Sequence, residues 1–212
     1  LLEKYLNEKL KKFLFSAICL VIAIPTLYMI VSTVYLNTVS VSKGPVHWHA
    51  DIEVWACGKE IELQDPTGFL SNKIGTATLH EHNDKRIHLE GVVVHPEDAS
   101  LGKFFNVIGG DLKSDSVIVP TNNGPVPYTN GSMCADGSEG QMQVYVYQTD
   151  NDLYYTQKKL DDPAAYLIAP HSQVPQGDCI IVEFGPNKAK TDKLCRSYKV
   201  AQQIDKLKGE RQ

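Results

Sequence analysis

The sequence predicts an α+β architecture: a β-rich extracytoplasmic domain of hairpins and short helices on a single N-terminal transmembrane helix. Three observations lead there. From Phe13 to Leu36 twenty-four residues run without a charge. Past Lys43 the hydropathy pattern changes to period two, the signature of half-buried strands. Short runs rich in Val, Ile and Tyr then recur as far as Phe184, separated by clusters of Gly, Asn, Pro and Ser. The 212 residues are 42% hydrophobic and 22% charged, an ordinary globular composition that excludes bulk disorder. A mean hydropathy of −0.23 excludes a polytopic membrane protein while leaving room for one span.

The apolar run exceeds the roughly 20 residues that cross a hydrocarbon core of about 30 Å. A cleaved signal peptide would have a shorter apolar core followed by an A-x-A-like site, and none follows. Pro25 would kink the span near its middle, which membrane helices tolerate. Lys4, Lys9, Lys11 and Lys12 precede the run, and the first charge after it is Lys43. The positive-inside rule then puts the N-terminus in the cytoplasm and the rest outside the cell membrane. The expected divisions are a cytoplasmic basic segment (1–12), a transmembrane helix in contact with lipid (13–36), a linker (37–45), a β-rich domain (46–196) and an amphipathic C-terminal helix (197–212). The sequence opens on Leu1 rather than Met, which implies processing or truncation.

Charge is uneven. Residues 1–40 carry +2, residues 41–185 carry −11 and residues 186–212 carry +5. An acidic body repels phosphates, so nucleic-acid binding is not expected. Cys19 lies within the span, leaving Cys57, Cys134, Cys179 and Cys195 for two disulfides in an oxidising compartment, with three connectivities open. None of the four has C-x-x-C spacing, which argues against a redox dithiol or a zinc ribbon. Asn130-Gly131-Ser132 is a glycosylation sequon in an expected surface loop.

In Val46–Ala56 the residues Trp48, Ala50, Ile52, Val54 and Ala56 share one face, and His47, His49, Asp51, Glu53 and Trp55 share the other. Cys57-Gly58-Lys59 turns the chain into a return strand at Glu60–Leu63. Leu79–His82 and Ile87–Val94 flank Asn83-Asp84-Lys85-Arg86 as a second hairpin. Ser100 caps a short helix that stops at Gly109-Gly110. Residues 120–140 read as an insertion loop fixed by Cys134. Gln143–Gln148 and Cys179–Phe184 are strands, with a helical turn at Pro163–Ala169 between them. Val200, Ile204 and Leu207 fall at helical spacing in the tail. No internal repeat is present.

Six of the seven histidines lie between His47 and His95. His47/His49 and His80/His82 are H-x-H pairs, and His88/Glu90 is H-x-E. Residues i and i+2 of a strand point the same way about 6.5–7 Å apart, so each pair can serve one polar site. Adjacent hairpins would bring all three pairs to one face. Neutral imidazole suits copper, zinc, iron and nickel, and a carboxylate such as Glu90 tilts a site toward zinc or iron. With the four external cysteines assigned to disulfides and no methionine nearby, a blue-copper centre is not indicated. His95, before Pro96 at a strand end, and His171, in a loop after Pro170, are expected outside the cluster. Asp51 and Glu53 would orient imidazoles or form the solvated side of the strand. Trp48 and Trp55 read as core and rim packing.

The run His47-Trp48-His49-Ala50-Asp51-Ile52-Glu53 with Gly58 after it resembles the first cupin motif, H-x-H with a Glu four residues on. The second cupin motif has no match here, and Gly44 stands closer to His47 than that motif places its glycine. The order Leu79–Asp84, Arg86–Glu90 and Ser100–Phe105 (LHEHND, RIHLE, SLGKFF) is similar to a family of uncharacterised membrane-anchored His-rich proteins of archaea and bacteria. These carry an H-x-H strand, then H-x-H-D, I-H-x-E and an L-G-x-F-F helix. Asn83 before the aspartate is a departure, and the 120–140 loop looks like an addition. That resemblance implies the strand–hairpin–helix order and weight on the histidines, and it implies no reaction.

The reading that follows is a membrane-anchored extracytoplasmic metal-binding protein, for copper or zinc, with His47, His49, His80, His82, His88 and Glu90 as ligand candidates. Its role would be that of a chaperone, a store or an accessory subunit working with other membrane subunits. Two alternatives remain open. One is a His-ligated zinc or iron enzyme in which Glu53 or Glu90 serves as ligand or base. The other is a self-assembling, pilin-like filament subunit, against which stand the twelve residues ahead of the apolar run.

Overall fold

A computed structural model describes residues 2–68 and 71–211, with the side chains of the first helix from Asn7 onward; the side chain of Lys4 lies outside the described residues. Helix α1 (Leu2–Val39) is followed by a sheet-rich domain. From Asn7 to Val39 the helix is long and apolar enough to cross a membrane, its most apolar 18-residue stretch having a mean hydropathy of 2.5, and its apolar side chains are exposed. Residues 2–12 are the first turns of this helix. Glu8, Lys9, Lys11 and Lys12 are good helix formers, and Glu8 pairs with Lys11 at 3.4 Å. The expected linker is also shorter and fastened. Helix continues to Val39, and the Val93 amide donates to Ser42 Oγ at 3.0 Å.

The domain then runs through β1 (Pro45–Ala56), β2 (Lys59–Ile61), β3 (Ile74–Gly75), β4 (Leu79–Glu81), β5 (Arg86–Val92), α2 (Leu101–Val107), β6 (Asp111–Leu112), β7 (Ser116–Thr121) and β8 (Gly124–Thr129). After these come β9 (Gln141–Thr149), β10 (Tyr154–Lys159), β11 (Asp178–Gly185), α3 (Arg196–Gln203) and β12 (Gly209–Glu210). The main sheet has the order β12-β10-β9-β11-β1-β5-β4-β3, and β2 pairs with the last residues of β1. β1 is central, parallel to β11 and antiparallel to β5.

The alternation in β1 divides two layers. Ala50, Ile52, Val54 and Ala56 join Ile87, Leu89, Ile180 and Val182 in a core closed by Leu101, Phe104 and Phe105 of α2 and by Leu112, Val117 and Val119 of the small β6-β7-β8 sheet. α2 forms where Ser100 caps it, its hydroxyl accepting from the Lys103 amide at 3.1 Å. The opposite face has a second core of Tyr145, Tyr147, Tyr155, Ile181, Tyr198 and Leu207, with Trp55 against it. This core lies over the β10-β9-β11 half of the sheet. The β1-β5-β4 half of the same face is where the histidines stand.

Three expectations are corrected. The 120–140 insertion is only partly a loop, because Gly124–Thr129 pairs in register with Ser116–Thr121 as an edge strand. Pro125 and Pro127 read as breakers, but an edge strand leaves their missing donors on the open side. Pro163–Ala169 forms a turn followed by extended chain, its Ile168 amide donating to Ala99 O at 2.8 Å, instead of a helical turn. The C-terminal helix is shorter than 197–212 and rotated from the Val200/Ile204 face. Val200 and Ile204 are exposed, whereas Tyr198 and Ala201 are buried and residues 209–210 add an edge strand. The Cys179–Cys195 bridge at the start of α3 sets this rotation. The other bridge is Cys57–Cys134, and Cys19 is free.

Candidate metal site

Register brings the histidines together. His49 on β1 stands opposite His88 on β5, and His88 stands opposite His80 on β4, so three imidazoles cross three strands in one row. His47 extends the row along β1 and His82 extends it beyond β4. Ring centroids are 4.6 Å apart for His47–His49, 4.8 Å for His49–His88, 4.8 Å for His82–His88 and 5.5 Å for the stacked His80–His88 pair. Two triads result, His47/His49/His88 and His80/His82/His88, each with ligand nitrogens within 4.8 Å of one another. A tetrahedral ion with bonds of about 2.0–2.1 Å holds its ligand atoms roughly 3.3 Å apart. Modest side-chain rotations therefore close either triad.

Exposure is graded along the row. The His47 side chain is 62% exposed and that of His88 13%, and His80 as a residue is 1% exposed. Oxygen atoms face the outer nitrogens of three rings: Glu90 Oε1 lies 3.3 Å from His47 Nε2, Asp84 Oδ2 3.1 Å from His88 Nε2, and the Asn72 carbonyl 2.9 Å from His82 Nδ1. Such contacts fix the tautomer and aim the remaining lone pair, as second-layer partners of metal-bound histidine do. The buried Nδ1 atoms of His49 and His80 have no hydrogen-bond partner. A buried polar atom left in this way costs about 1–3 kcal/mol, and a metal ion in either triad would satisfy the atom belonging to that triad. Glu90 faces His47 across the strands and belongs to neither triad.

Burial first, then the Arg86 guanidinium and the neighbouring imidazoles, lower the His49 pKa from 6.5 to about 4. His80 falls from 6.5 to about 4 as well, through burial, then Lys73 and His82. Both rings are thus neutral at pH 7, the state that binds metal. The sign for folding follows. These groups bind protons more weakly folded than unfolded, so their contribution is complete above about pH 6.5 and is lost as pH falls toward 4. In chelator, urea unfolding of the wild type is expected to show falling stability across that interval. His80→Gln should flatten the fall, and an unchanged profile would contradict the assignment of these two imidazoles.

The remaining candidates lie apart. His95 precedes the single turn Pro96–Ala99 and belongs to neither triad. Asp51 pairs with Arg86 at 3.1 Å and accepts from Ser197, which joins α3 to the row. Burial, opposed by the Ser197 hydrogen bond and Arg86, raises the Asp51 pKa. Glu53 accepts from Trp55 Nε1 at 3.0 Å. The sequence reading missed Asp178, which is 1% exposed at the start of β11. Its carboxylate accepts from His171 Nδ1 at 2.8 Å, Tyr166 OH at 2.5 Å, Ser172 Oγ at 2.6 Å and Gln148 Nε2 at 3.1 Å. This network pins the Pro170–Gly177 loop beside the His49 backbone. A single aspartate before a cysteine carries no local signal of that role. No protein-family model matches the chain, and neither does any curated protein or solved structure.

Proposed function

We propose that this protein is a membrane-anchored, extracytoplasmic carrier of a copper or zinc ion, held by the histidine row of β1, β5 and β4. One observation carries the reading: five imidazoles meet in a row that leaves two buried Nδ1 atoms without partners. An all-imidazole donor set suits copper and zinc. Helix α1 supplies the anchor in lipid. The lysines before the span support an N-terminus in the cytoplasm, and two disulfides fit an oxidising exterior. The order of histidine motifs also fits the membrane-anchored His-rich family that the sequence resembles.

The test is metal content by mass spectrometry on the full chain in detergent, purified without chelator or His-tag. About one equivalent of copper or zinc is expected. The His49→Ala/His82→Ala variant, which removes one ligand from each triad, should lose it. The bound ion should raise the unfolding free energy by about 2.7 kcal/mol at a hundredfold excess over Kd. A chain that stays metal-free after reconstitution with either ion would overturn the proposal.

A further inference from the structure

The two triads have one member in common. His88 belongs to both, and it is the only contact point between the outer pair on β1 and the inner pair at β4 among the ring contacts of the described residues. Its Nε2 faces Asp84 Oδ2 at 3.1 Å. A proton held there leaves Nδ1 as the ring's single lone pair, and one lone pair serves one ion at a time. A triad stripped of His88 keeps two imidazoles, fewer protein ligands than an ordinary catalytic or structural zinc site uses.

Resting on the metal-binding reading above, we propose that the triads are alternate seats for one ion, with His88 as the ligand that passes it between them. The outer seat opens to solvent through His47, whose side chain is 62% exposed. The inner seat ends on His80, which is 1% exposed and stacks on His88 at 5.5 Å with an interplanar angle of 5°. An ion arriving at His47 and His49 moves inward by exchanging those two ligands for His80 and His82 while His88 stays bound. No covalent or redox step is involved. Asp84 is a positioning residue that keeps His88 monodentate. The outer seat takes the ion from solution or from a donor, and the inner seat retains it.

The experiment is Co²⁺ and Zn²⁺ titration of the full chain in detergent, with stoichiometry read by mass spectrometry and ligand number by Co²⁺ absorption. His47→Ala and His82→Ala change ligands that are not fully buried, so neither variant threatens the fold. Wild type should bind one equivalent, each single variant should still bind one, and His47→Ala/His82→Ala should bind at least a hundredfold more weakly. His88→Ala should lose both seats together, with circular dichroism confirming that it is folded. Two equivalents in the wild type, falling to one in each single variant, would mean independent or bridged sites and would overturn sharing while leaving metal binding intact. Complete loss in one single variant would mean that only one triad is a seat. A metal-free wild type would overturn the metal-binding reading, and this inference with it.

Discussion

Gly177→Ala is expected to destabilise the domain by about 4 kcal/mol. Gly177 has φ +93°, and a Cβ there would lie 2.4 Å from the His49 carbonyl oxygen and 2.8 Å from its carbon. The obstacle is strand backbone rather than a flexible side chain. The loop has little room to retreat, because the Asp178 network holds His171 and Ser172, and the Arg86 guanidinium donates to the Gln176 carbonyl. Left-handed strain contributes about 1–3 kcal/mol, and overpacking adds about 1–3 kcal/mol. Gly124→Ala is the control, since its φ is +103° and its Cβ would meet nothing within 4 Å. Urea unfolding in chelator measures both variants. A Gly177→Ala cost no larger than that of Gly124→Ala would show that the loop does not press on β1.

Cys57→Ser/Cys134→Ser should cost about 4 kcal/mol, more than the roughly 3 kcal/mol expected for Cys179→Ser/Cys195→Ser. The first bridge joins residues 77 apart in sequence and the second joins residues 16 apart, so the first removes more freedom from the unfolded chain. It also ties the end of β1 to the loop after β8, fastening the small sheet to the large one. The comparison is made by guanidinium unfolding of the two double variants. A larger loss from the shorter bridge would show that loop entropy is not the controlling quantity.

The alternation of Val46–Ala56 made the two faces of β1 legible, and the matched parity of His47/His49 and His80/His82 marked the polar side. Ser100 announced its helix, and the charge-free run announced α1. Other features depended on distant partners. Nothing near Pro125 and Pro127 shows that β7 would accept an edge strand there. Nothing near Val200 and Ile204 shows that Tyr198 would be drawn inward by the sheet and the Cys179–Cys195 bridge. The role of Asp178 arises from four donors on three segments, Gln148, Tyr166 and the His171-Ser172 pair, none recognisable from its neighbours in sequence.

By itself the sequence determined that a long apolar helix precedes a β-rich domain, and that its histidines fall on one side of their strands. Local steric periodicity decides both, because a strand residue points up or down according to parity alone. Tertiary structure decided that these sides adjoin, that His49, His88 and His80 share one row, and that His88 belongs to two triads. Interstrand register sets those relations. Register is selected by the burial of Ala50, Ile87, Leu89 and Leu79 on the opposite face, where a one-residue slip would expose the core.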